Sequence, residues 1–269
     1  MGQAPHDRGD CRGGVGLTGS LRFRFQLRPV EDVVLFGKRG DYTLSWFGLT
    51  DGWQCLETPG GRLLEYARPA KRTGCRWMDY QVVRLFEDLL EIWPWVVDPV
   101  PEDVVSRFFG WYSPAEVARI AGTADFDTQE LWWDARSWLY NRRLQFNHLT
   151  LAPDLYFWRT GTEFNLLWDA PGMDAAGPRW AVQHARVMLP FEEAQQAVES
   201  FCQELLSAMA ERVAVVERDG WKRPDCTLDV AELVADQQER ETWPAANLVR
   251  SFGTDWDAAR RIQDKLDMR

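Results

Sequence analysis

Leu21-Arg22-Phe23-Arg24-Phe25-Gln26-Leu27-Arg28 is the stretch that decides the fold class. Apolar Leu21, Phe23, Phe25 and Leu27 alternate with polar Arg22, Arg24, Gln26 and Arg28, the two-residue period of a strand with one face on a core and one in water. Pro29 stops it. Working outward, Tyr42 to Phe47 predicts a second strand, with Tyr42, Leu44 and Trp46 on one side. Asp51-Gly52 predicts a tight hairpin turn, because both residues tolerate the positive φ such a turn needs. A third strand then starts at Trp53, Pro59-Gly60-Gly61 reverses the chain, and Arg62 to Tyr66 returns as a fourth. The first quarter reads as an antiparallel meander.

Helical spacing follows. Val82, Leu85, Phe86, Leu89, Leu90 and Trp93 recur at i, i+3, i+4 over Tyr80 to Trp93, with Arg84, Glu87, Asp88 and Glu91 on the opposite face and Pro94 as the expected stop. Ser113-Pro114-Ala115-Glu116 is a capping box opening a helix that Gly122 closes. Asp127-Thr128-Gln129-Glu130 opens another, running to about Arg143. Leu155 to Arg159 and Glu163 to Trp168 read as a hairpin around Thr160-Gly161-Thr162, and Trp180 to Leu189 as a further strand. The longest helix spans Phe191 to Val213, and two shorter ones lie near Leu228 to Arg240 and Thr254 to Leu266. Strands and helices come in runs rather than strict alternation. That pattern predicts an α+β fold, an antiparallel β-meander and hairpins packed against several amphipathic helices. One domain is expected over 21–269, behind a Gly-rich flexible leader over 1–20.

Composition narrows the function. The 269 residues carry a formal net charge of −10, which disfavours nucleic acid and anionic membranes and suits a basic protein partner. No apolar run is long enough to span a membrane and the leader has no apolar signal core, so a cytoplasmic protein is expected. The five cysteines form no C-x-x-C pair and read as reduced thiols. Gly14-Val15-Gly16-Leu17-Thr18-Gly19 matches a dinucleotide loop only formally, since a strand rather than a helix follows it. With three histidines, His6, His148 and His184, and no nucleophile motif, no metal and no cofactor is expected. The 15 tryptophans are the unusual feature of the composition.

Leu44-Ser45-Trp46-Phe47-Gly48-Leu49-Thr50-Asp51-Gly52-Trp53, together with the opening strand, Phe157-Trp158-Arg159-Thr160-Gly161 and Trp168-Asp169, resembles a family of bacterial proteins of unknown function. The mark of that family is Trp-Phe-Gly-Leu-Thr-Asp-Gly-Trp. The resemblance covers Leu21 to the C-terminus and implies no reaction, cofactor or catalytic residue.

Candidate site residues come from the residues themselves. Trp132, Trp133 and Trp138 cannot share one helical stripe, and Trp46/Phe47 and Phe157/Trp158 are strand neighbours that face opposite ways. Either helices cover both sheet faces, or some tryptophans are surface anchors. The leading candidates for anchors are Trp132 or Trp133, and Trp158. Two function classes follow. The preferred one is a non-enzymatic, immunity-like module that binds a basic protein through acidic helix faces and surplus tryptophan. The alternative is a small-molecule or carbohydrate-binding enzyme whose cleft is lined by Trp46, Trp53, Trp158 and Trp168. In that case Asp51 is the acid/base and Arg159 a ligand contact, with His148 a weaker catalytic candidate.

Overall fold

The structure, a computed structural model, describes residues 19–38, 41–69, 74–111, 125–149, 152–170 and 179–268. The expected helix over Ser113 to Gly122, Cys11, His6 and nearly all of the leader lie outside them.

The opening strand forms as its alternation predicts. β1 (Arg22–Leu27) pairs antiparallel with β4 (Asp51–Thr58), from Arg22 opposite Glu57 to Leu27 opposite Gly52. The far edge of β4 is shared between β5 (Gly61–Leu63) and β6 (Met78–Gln81). A separate ribbon joins β2 (Phe36–Lys38) to β3 (Asp41–Thr43). The expected strand over Tyr42 to Phe47 stops at Thr43. There Ser45 caps a single helical turn, α1 (Trp46–Leu49), by accepting from the Gly48 N–H. That turn leads directly into β4, so Asp51-Gly52 is not a hairpin turn but the start of the strand. Gly52 is needed for a different reason: a Cβ there would stand 2.4 Å from the Gln26 carbonyl oxygen across the ladder.

The second sheet is the meander β7 (Asp154–Thr160), β8 (Glu163–Asp169) and β9 (His184–Pro190), its first turn made at Gly161 with φ +57. Trp180 stands outside β9, in an isolated bridge to Tyr66. Helix α2 (Val83–Val97) continues through Pro94 instead of ending there. The buried Trp93 and Val96 on either side hold it in register, and the Pro94 carbonyl accepts from the Phe252 N–H. After α3 (Glu102–Trp111), the expected helix from Asp127 to Arg143 is two: α4 (Phe126–Ala135), capped by Asp125 rather than Asp127, and α5 (Ser137–Tyr140), with the break at Arg136. The long helix α6 (Phe191–Asp219) and the closing helices α7 (Val230–Asn247) and α8 (Trp256–Asp267) complete the order.

Two apolar cores hold this α+β arrangement together. The larger joins both sheets to α2, α6 and α7 through residues such as Leu56, Trp93, Phe157, Phe201 and Leu233. The smaller lies on the opposite face of β7 and β8, where Tyr156, Trp158 and Leu167 meet Phe108 of α3 and Trp138 of α5. Phe157 and Trp158 do point to opposite faces, and helices cover both. Trp158 is therefore fully buried, a correction to its expected place at the surface.

Candidate functional site

Asp51 is the residue on which the enzyme alternative rests. It is buried at the start of β4, where its Oδ2 accepts from Arg28 Nε at 3.0 Å and from the Val34 N–H at 2.9 Å. Arg28 also donates to Asp79 Oδ1 at 2.6 Å and lies 4.3 Å over the Trp53 ring. Burial lowers the Arg28 pKa, but the Asp79 and Asp51 carboxylates outweigh it and hold the group above its ordinary value. Arg212 of α6 donates to the carbonyls of Leu49 and Arg28, tying the helix to this corner. Asp51 thus clamps the ends of β1 and β4, as a correction to its reading as a turn residue.

The four tryptophans of the imagined cleft do not meet. Trp46 is fully buried and donates through Nε1 to Gln237 Oε1 of α7 at 2.8 Å. Trp168 is fully buried in the same large core, edge-on to Trp180. Trp158 belongs to the smaller core, and Trp53 packs beside Cys55, Cys75 and Trp77. Arg159 donates to the Gly161 carbonyl at 2.6 Å and covers the Phe191 ring at 4.5 Å, fastening the β7–β8 turn to α6. His148 stacks on Tyr80 with ring centroids 4.0 Å apart, its pKa lowered by burial and then by Arg84. Cys202 is a buried thiol, pushed up to about 12 by burial. Among the described residues no group of three His, Cys, Asp or Glu side chains could hold a metal ion, and no helix is long and apolar enough to cross a membrane.

The acidic face expected on α2 is only partly open. Glu87 pairs with Arg84 and Arg240. Asp88 is buried, accepts from the Gln145 N–H at 3.2 Å, and has its pKa raised to about 7 by burial. A buried acid of this kind stabilises the fold fully only below its unfolded pKa, and that contribution is lost as pH rises through about 7. The stability of wild type relative to Asp88→Asn is therefore expected to fall as pH rises from about 4 to about 7 in urea titrations. A difference that grows with pH contradicts the assignment.

An open aromatic surface exists on α4. Phe126 is 76% exposed and Trp133 51% exposed, while Trp132 and Ala135 face inward. At about 100° per residue, Phe126 and Trp133 stand some 20° apart around the helix. Glu130, Asp134 and Asp127 follow on one side of them within the same third of its circumference, and all three are exposed. Trp133 is backed by Trp132 and Tyr140, at centroid distances of 4.9 and 5.9 Å, which limits its rotamers. Trp133 was legible as a tryptophan that one stripe cannot bury. Phe126 was missed, although its seven-residue spacing from Trp133 is the signal that finds it.

A cavity of about 690 Å³ lies between the C-terminal end of β1 and the C-terminal half of α6. Its walls are apolar at Phe25, Leu27, Val215 and Trp221, and Arg212 also lines it. Asp51 does not line it.

A family model described as a family of unknown function (DUF5984) matches residues 22–262. No curated protein and no solved structure matches the chain.

Proposed function

The chain belongs to the DUF5984 family, whose function is unknown, and from that premise we propose that it is a non-enzymatic, immunity-like binding module whose partner is a basic protein. The observation that carries this reading is the α4 surface, where exposed Phe126 and Trp133 stand beside Asp127, Glu130 and Asp134. Exposed aromatic side chains, here with Trp133 backed by Trp132 and Tyr140, are among the residue types that anchor protein interfaces, and flanking charges select the sign of the partner. The net charge of −10 adds long-range attraction for a basic protein. The enzyme alternative needs Trp46, Trp53, Trp158 and Trp168 around one cleft with Asp51 facing it. Their placement lends it no support.

The test is capture from an extract of the source cells by immobilised wild type and by the Phe126→Ala/Trp133→Ala variant. The expected result is a basic protein retained by wild type at low salt, released at about 0.5 M salt where screening reaches a few ångströms, and absent from the variant. The same proteins on both columns would overturn the reading.

A further inference from the structure

β1 is an edge strand: it pairs with β4 and, among the described residues, with no other strand. The ladder runs on past Leu27, where the Arg28 N–H donates to the Asp51 carbonyl at 2.8 Å. Hydrogen-bonded positions alternate in an antiparallel pair. Arg22, Arg24 and Gln26 therefore turn their backbone groups towards β4, and Phe23, Phe25 and Leu27 turn theirs outward. An open row of main-chain donors and acceptors is a template for another strand.

Helix α6 runs beside that row. A cavity of about 380 Å³ between Leu21 to Arg24 and the first half of α6 is followed by the 690 Å³ cavity between Phe25 to Leu27 and its second half. Together they trace a groove along the whole of β1, with Phe201, Ala208 and Val215 on its helical wall. Glu193, Glu204 and Glu211 stand within about 20° of one another around α6, a rail of carboxylates with no ion pair among the described residues. The bases of the groove are largely engaged. Arg24 pairs with Glu57, Lys222 with Asp219 and Arg223 with Asp225, and Arg212 donates to backbone carbonyls.

We propose that this groove takes an extended segment of a partner protein as an added strand on β1, with Lys or Arg and apolar residues alternately facing α6. Main-chain bonds to Phe23, Phe25 and Leu27 supply the pairing, and the three glutamates select the basic side chains. A second copy of the chain is a poor occupant, because its own acidic helix would face this one. The α4 surface shares no residue with the groove, so this inference does not rest on it.

The probe is an acetylated and amidated heptapeptide, Lys-Thr-Val-Thr-Val-Thr-Lys, titrated into the full chain while amide hydrogen exchange is followed. Saturable binding that slows exchange at Phe23, Phe25 and Leu27 is expected. Of two further peptides, N-methylated at the valines or at the threonines, one should bind and the other fail, since only one set of N–H groups faces β1. Reversing two exposed charges with Glu204→Lys/Glu211→Lys should weaken binding about tenfold without changing the melting temperature. No binding at roughly millimolar peptide, equal binding by both methylated peptides, or an unaffected charge-reversed variant would each overturn the proposal. So would slow exchange at these amides without peptide, whether a second copy or residues 1–18 cause it.

Discussion

Asp51→Ala should cost about 3–5 kcal/mol of unfolding free energy, the usual loss when one partner of a buried ion pair is removed. The replacement strands Arg28 beneath the Trp53 ring with only Asp79 to balance it, and leaves the Val34 N–H without its acceptor. The damage is not confined to the pair. Arg28 also presents its carbonyl to Arg212, so the junction of β1, β4 and α6 loosens together. Urea titration reads the loss directly. Carboxylates kept for chemistry behave differently, because removing one from a strained site is commonly neutral or stabilising. A loss below about 1 kcal/mol would contradict the structural role given to Asp51 and revive it as a candidate acid/base.

Trp46→Ala should be comparably severe, at about 3–5 kcal/mol, the range for emptying a large aromatic site in a core. Trp46 is fully buried and fixes α7 in two ways: through the 2.8 Å bond to Gln237, 191 positions along the chain, and through Arg240, 4.5 Å over its ring. Trp46→Phe separates these contributions. It keeps most of the packing and loses the indole donor, so a cost of about 1–3 kcal/mol is expected for the buried acceptor left unmet. Thermal unfolding of the two variants provides the comparison. Near-native stability in Trp46→Ala would mean that the side chain is not a core element and could face a ligand.

Much of the fold is legible because periodicity reports burial. The alternation from Leu21 to Leu27 and from Leu155 to Arg159 becomes β1 and β7, and the i, i+3, i+4 spacing of Val82 to Trp93 becomes α2. Local turn chemistry misleads where distant contacts decide. Asp51-Gly52 has the composition of a hairpin turn, yet Asp51 is claimed by Arg28, and Gly52 by the close approach of the Gln26 carbonyl. Pro94 carries a strong stop signal that the packing of its neighbours overrides.

The candidate site was legible in part for the same reason. The neighbours Phe157 and Trp158 must face opposite ways, but whether a second layer covers Trp158 depends on α3 and α5, which no local pattern positions. Arg142 illustrates the converse. Next to Arg143 it looks like surface charge, yet it is fully buried, donates to the Trp138 carbonyl at 2.7 Å, and has its pKa lowered to about 10 by burial. On α4 the sequence marks Trp133 as a tryptophan that one stripe cannot bury, but the exposure of Trp133 and Phe126 is a property of what fails to pack against the helix. That fact emerges only when the neighbouring elements are in place.

The most direct test of a binding role for α4 is isothermal titration of the captured basic protein into wild type and into Phe126→Ala/Trp133→Ala. These side chains are exposed, so the two proteins should melt within a few degrees of each other. An affinity at least about 30-fold weaker is expected for the variant, the loss of one interface anchor worth roughly 2 kcal/mol, with wild-type binding weakening as salt rises. Equal affinities for the two proteins at every salt concentration would contradict it.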